Sequence, residues 1–214
     1  VLLTPNELIM NGNIFNYFSD RLAESDTMIE LAKSVVEDYD NQIGALFTTA
    51  NTQYGFSKDP IAAPGPELER AMLELQQGIF DFVFTPEAYK DYPGQINGYK
   101  FNSCYSFPGY VAPPADSSLS HSIMIRANFE DPDGINPYYD INGDGTGHAF
   151  RPTGLYLAPG SIASVTVPDS LVGKDYYVRV GAHEWDLTNK PTFKRLDRIS
   201  KKFPLDSTTI EVFN

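Results

Sequence analysis

The sequence is poor in the residue types that carry most metal and nucleophile chemistry, with one cysteine and three histidines among 214 residues. A single thiol, Cys104, excludes an internal disulfide and any multi-cysteine zinc site. It stands in the aromatic stretch F-N-S-C-Y-S-F with no histidine nearby, which reads as a buried or half-buried structural thiol and not as a nucleophile. Positive charge is also scarce. Sixteen Lys and Arg face 28 Asp and Glu, a net charge of −12. That balance argues against binding that neutralises nucleic-acid phosphates or anionic lipid, so no nucleic-acid partner is expected. No run approaches the roughly 18 apolar residues of a membrane-spanning helix, and Leu8–Phe18 is interrupted by Asn11, Gly12, Asn13 and Asn16, so no transmembrane segment is expected. The opening V-L-L-T-P-N-E-L lacks the basic and apolar regions of a signal peptide, and the missing initiator Met suggests a processed protein or an excised piece.

What is present is a globular composition: 42% apolar, 13% aromatic and 21% charged. The length exceeds the usual domain of about 100–150 residues, which leaves one large domain or two small ones. Charge and pattern favour two. Residues 1–116 hold 6 basic and 16 acidic residues, net −10, while 117–214 hold 10 and 12, net −2. Between them P-G-Y-V-A-P-P-A-D-S-S-L-S, Pro108–Ser120, reads as a linker or extended connection.

The first half has helical period. Met28, Leu31, Ala32, Val35, Val36, Tyr39, Ile43, Leu46 and Phe47 recur at three and four, leaving Glu30, Lys33, Glu37 and Asp40 to face water. Thr27 and Glu30 stand at capping-box spacing at its start. A second helix opens at Pro66, with Leu68, Ala71, Met72, Leu75, Ile79, Phe82 and Val83 as its stripe. Thr85-Pro86-Glu87 caps a short third helix through Lys90, stopped at Tyr92-Pro93-Gly94, and Glu7–Leu22 is a weaker candidate. The second half switches to short β-type runs: Ser122–Phe129, Thr153–Leu157, Ile162–Val167, Tyr176–Ala182, Arg195–Phe203 and Thr208–Phe213. With turn residues and no helix between them, these predict an antiparallel β-sandwich. The fold class expected is α+β, an acidic helical domain over 1–116 followed by a sandwich over 117–214.

Three sets of residues are candidates for chemistry. His183-Glu184 begins like the H-E-x-x-H helix of a zinc peptidase, in which two histidines one turn apart hold the metal and the Glu serves as base. The second histidine is missing, because Leu187 stands in its place, and V-R-V-G-A-H-E-W-D-L reads as a strand entering a loop. No catalytic residue is therefore expected in this chain. Asp140-Ile141-Asn142-Gly143-Asp144-Gly145 reproduces the opening of a calcium loop, with side-chain oxygens from Asp140, Asn142 and Asp144 and a turn glycine next. Position 12 is Arg151 and not the bidentate Glu, so calcium would bind weakly or borrow Asp131 or Asp133; the alternative is a turn without an ion. Tyr138, Tyr139 and Trp185 fall in predicted loops beside acids such as Asp186, a combination suited to stacking on sugar rings, or else to packing at the end of the sandwich. The elbow G-x-S-x-G and both glycine-rich phosphate loops are absent, which removes support for acyl-transfer and nucleotide chemistry.

R-P-T-G-L-Y-L-A-P-G (Arg151–Gly160), V-T-V-P-D-S-L-V-G-K (Val165–Lys174) and V-R-V-G-A-H-E-W-D-L (Val178–Leu187) resemble, in this order, the N-terminal β-sandwich of M60-like peptidases, the enhancin and mucin-degrading zinc metallopeptidases. Lys194-Arg195, Ile199, Phe203-Pro204-Leu205 and Thr209–Asn214 are similar to that module's closing strands, so the resemblance covers about residues 148–214. It implies a secreted or cell-surface bacterial protein whose complete form cleaves mucin-type glycoproteins. Zinc would sit only in a catalytic domain outside this chain. The partners implied are that catalytic domain and a glycoprotein or O-glycan ligand. The function expected is a non-catalytic N-terminal portion that supports the catalytic domain or holds substrate; a free-standing glycan-binding adhesin module is the alternative.

Overall fold

In a computed structural model, the structure describes residues 18, 21–22, 25–47, 61–62, 67–126, 150–181, 192–193, 195–196 and 198–214. Helix α1 spans Asp26–Gln42 and buries Met28, Ala32, Val35, Val36 and Tyr39 of the stripe read from the sequence and Ile29 beside it, whereas Leu31 is half-buried and Ile43, just past the helix, is exposed. Its cap differs from the expected Thr27. Ser25, in extended backbone, accepts from the Met28 amide at 3.3 Å, and Thr27 lies exposed inside the first turn. The hydroxyl must precede the helix to reach an orphan N–H, and residue 27 is already helical. Ser25→Ala is therefore expected to cost about 1 kcal/mol of unfolding free energy and Thr27→Ala none; equal costs in denaturant titration would remove Ser25 as the cap. The helix also ends earlier than its apolar period. Leu46 and Phe47 are buried in the turn that follows, with Phe47 at φ 58°. Burial of the ring there offsets the roughly 1–2 kcal/mol that left-handed backbone costs a side chain with a Cβ.

Helix α2 spans Glu67–Val83, and Ala71, Met72, Leu75, Ile79 and Val83 of the predicted stripe are buried, whereas Phe82 is exposed. Helix α3, Pro86–Asp91, starts as its sequence dictates: Thr85 Oγ1 accepts from the Ala88 amide at 3.1 Å, and Pro86 occupies the first turn, where its missing N–H costs nothing. Short 3-10 turns follow at Pro93–Gln95 and Asn102–Tyr105.

The strands form antiparallel pairs. Strand β1 (Ile61–Ala62) pairs with β4 (Thr192–Phe193), β2 (Ile162–Thr166) with β6 (Thr209–Phe213), and β3 (Tyr177–Val180) with β5 (Lys201–Pro204). The register sets Val165 opposite Ile210 and Val178 opposite Phe203. Along β6, Ile210 and Val212 are buried and Thr209 and Glu211 exposed, the alternation of a half-buried strand. The class is α+β, as expected, but the described strands form small two-stranded antiparallel sheets. Of the predicted strand Ser122–Phe129 the described part, 122–126, lies outside any ladder, as does 153–157, while 127–129 lie outside the described residues; Arg195–Phe203 shortens to β5. An alternating pattern prepares a chain for a strand, but a strand forms only where a neighbour takes up its N–H and C=O groups.

The contacts form two compact units, Val1–Ala112 with Leu157–Asn214, and Pro113–Tyr156. The first contains all the helices and strand pairs above. One apolar cluster runs through it, from Val35, Tyr39, Leu75 and Ile79 on the helices to Phe203, Leu205, Ile210, Val212 and Phe213 on and beside the strands. Tyr89 of α3 meets Phe213 at 5.1 Å between ring centres, and Phe213 meets Phe203 edge-on at 4.7 Å. The segment Arg198–Lys201 is fastened to α2: Gln77 exchanges two 3.1 Å hydrogen bonds with the Arg198 main chain, and Asp81 accepts from Arg198 Nη2 at 2.7 Å. The hydrophobic period changes near residue 116, whereas core residues from both sides of that point pack together. Separate folding of 1–116 and 117–214 is thus a question of cooperativity, taken up in the Discussion. In the second unit, Asp116 Oδ1 accepts from the Ser118 amide at 2.9 Å and hydroxyl at 2.6 Å, and Arg151 Nε donates to the Arg126 carbonyl at 3.2 Å.

Candidate functional site

The residues singled out for chemistry lie outside the described residues: Tyr138, Tyr139, Asp140, Asn142 and Asp144, then His183, Glu184, Trp185 and Asp186. What is described is the backbone from which the second group departs. Gly181 has φ 77°, and a Cβ there would overlap the carbonyl oxygen of Ile199 and lie 3.0 Å from its carbon. Arg179 Nε donates to Ser200 Oγ at 2.7 Å, beside the same crossing. Since Arg198 and Lys201 are in turn held by α2, the entry to H-E-W-D is anchored through two layers.

Cys104 is half-buried and burial pushes its thiol up, away from the thiolate that nucleophilic chemistry needs. His121 is exposed. Among the described residues, no group of three or more His, Cys, Asp or Glu is arranged to hold a metal, and no helix is long and apolar enough to cross a membrane.

The concavities described lie along α1. One, of about 410 Å³, opens between Glu30, Lys33 and Ser34 and the turn at Gln95, Asn97 and Gly98. The other, of about 280 Å³, lies between Glu37, Asp40 and Asn41 and the wall formed by Lys100, Phe101 and Asn102. Glu37 and Tyr99 line both. Lys33 is 9% exposed, which corrects its expected water-facing position. Its ammonium donates to the carbonyl and to Oε1 of Gln95 and lies 4.4 Å from the centre of the Tyr99 ring. Gln95 Nε2 in turn donates to Asp26 Oδ1 at 3.0 Å and Glu30 Oε1 at 3.3 Å. Burial lowers the Lys33 pKa to about 8, against the opposite pull of Glu30, Glu37 and Asp26. Asp40 is half-buried, with Oδ1 closed off: burial raises its pKa to about 6, opposed by a hydrogen bond from Asn102 and assisted by Glu37. Sequence reasoning missed both because helical period locates the apolar stripe and not the segment that covers its flank. The cleft supplies charge and hydrogen bonds rather than a nucleophile beside a base.

Residues 135–214 match the N-terminal domain of M60-like peptidases. A TRPM8 channel-associated factor homolog of Danio rerio is 32% identical over 104 residues, covering 49% of this chain and 11% of that protein. A second, of Xenopus laevis, is 35% identical over 74 residues, 34% of this chain and 8% of that protein. The chain spans about a tenth of the length of these curated relatives. No solved structure matches it significantly.

Proposed function

We propose that this chain is a non-catalytic accessory region of a secreted or cell-surface M60-like metallopeptidase, supporting its catalytic domain or holding glycoprotein substrate. The match of residues 135–214 to the N-terminal domain of those peptidases carries the reading. The ligand set argues the same way, since one H-E pair followed by Leu187 cannot provide both zinc ligands of a peptidase helix. In this reading the antiparallel pairs β2–β6 and β3–β5 belong to a β-sandwich. Trp185, Tyr138 and Tyr139 offer ring faces to a sugar, while Asp186 accepts from its hydroxyls. The curated relatives, named for association with a channel, favour a second reading, a binding module that serves without hydrolysis.

Two measurements test this. The purified chain, incubated with zinc and a mucin-type glycoprotein, is expected to leave the substrate intact, and specific cleavage that disappears in His183→Ala would overturn the reading. NMR titration with neutral mucin-derived O-glycans is expected to perturb Trp185, Tyr138 and Tyr139 at about millimolar concentration, and in Trp185→Ala to leave the two tyrosines unperturbed. No perturbation in the parent chain would remove the substrate-holding role and leave the supporting one.

A further inference from the structure

The seam between α1 and the turn residues 93–102 buries Lys33 and one carboxylate oxygen of the half-buried Asp40, with unequal compensation. At one end the Lys33 ammonium has two acceptors on Gln95 and the face of Tyr99 for its three N–H groups. At the other, Asp40 Oδ2 accepts from Asn102 Nδ2 at 2.8 Å, but Oδ1 is shut off from water without a donor. The groups sharing its cleft do little to offset that. Glu37, one turn earlier on the same helix, brings a like charge; Asn41 is neutral. From the opposite wall come Asn102, Tyr99, whose hydroxyl burial pushes far up and so keeps neutral, and Lys100, whose ammonium lies 5.6 Å from the centre of the Tyr110 ring.

We propose that this seam is a proton-operated clasp, in which uptake of one proton by Asp40 tightens residues 99–102 against α1 and its release loosens them. A buried carboxylate oxygen without a donor bears its desolvation cost, and a neighbouring carboxylate adds repulsion; a neutral acid removes both, which outweighs the weakening of the charge-assisted bond from Asn102. The sign follows from linkage. The folded chain holds the Asp40 proton up to about pH 6, against an ordinary value of 3.8, so the stabilisation is complete below 3.8 and is lost as pH rises through 6. Lys33 does not interfere in this window, because its own change lies between about 8 and 10.5. The clasp is thus tight in mildly acidic surroundings and loose at neutral pH.

The carboxyl carbon of Asp40, followed by NMR in the intact chain, is expected to titrate about two units above 3.8, and Glu37→Gln to shift that midpoint downward. Amides of residues 99–104, corrected for intrinsic exchange rates, are expected to be roughly tenfold better protected at pH 5 than at pH 7.5. In Asp40→Asn the protection should lose this pH dependence. An Asp40 midpoint near 3.8, or a protection ratio unchanged by Asp40→Asn, would overturn the proposal. Should that variant fail to fold, the titration in the intact chain decides by itself.

Discussion

Phe213→Ala will lower the unfolding free energy by about 3–5 kcal/mol, and helix and strand signals will be lost together. Phe213 is 1% exposed and stands where three parts of the chain meet. Its own strand β6 pairs with β2, its ring meets Phe203 of β5 edge-on at 4.7 Å, and Tyr89 of α3 covers it at 5.1 Å. Truncation removes the transfer energy of the ring and leaves a cavity between helix and strand that neither side can fill without moving the other. For about 200 residues this loss lowers the melting temperature by roughly 6–20 °C. Phe213→Leu, which keeps most of the volume, should cost well under half as much. The same measurement settles cooperativity. A shared core predicts one transition by circular dichroism and calorimetry, and no stable fold for residues 157–214 expressed without the helices. If the helices keep their melting temperature while the strands lose theirs, 1–116 and 117–214 are separate folding units as their hydrophobic periods suggested.

Gly181→Ala is expected to cost at least about 3 kcal/mol, far more than a left-handed glycine ordinarily yields. Two effects add. At φ 77° a Cβ costs about 1–2 kcal/mol even in open space, and here the new methyl would collide with the Ile199 carbonyl and come within 3.1 Å of Ser200 Cα. The crossing cannot relax cheaply, because Ser200 is bonded to Arg179, and Arg198 and Lys201 are fastened to Asp81. Gly173→Ala separates the two effects. It has a similar φ of 66° with nothing within 4 Å of its Cβ position, so it should show the backbone cost alone. Equal losses in the two variants would mean that β3 and β5 do not cross closely at Gly181.

The sequence by itself determined the elements whose cause is local. The stripe from Met28 to Tyr39, the stripe of α2 and the Thr85-Pro86 start of α3 each rest on a repeat or a cap within a few residues, and the structure carries all three. The runs Ile162–Val167 and Thr208–Phe213 were legible for the same reason, as short β-branched runs between turns, and each forms a strand one residue shorter, Ile162–Thr166 and Thr209–Phe213. The ordered motifs from Arg151 onward also pointed to the N-terminal domain of M60-like peptidases, the family that residues 135–214 match. The aromatic and calcium-loop residues named from the sequence lie outside the described residues. Tertiary structure decided everything that depends on what lies across a gap. Of the β-type patterns Ser122–Phe129 and Thr153–Leu157, the described residues 122–126 and 153–157 form no strand, because no neighbouring backbone among the described residues completes a ladder there. Lys33 and Asp40 look like a solvated helix face until residues 93–102 fold over them, and that burial changes their charge chemistry. Burial belongs to pairs of segments far apart in the chain, so no period along one segment can reveal it.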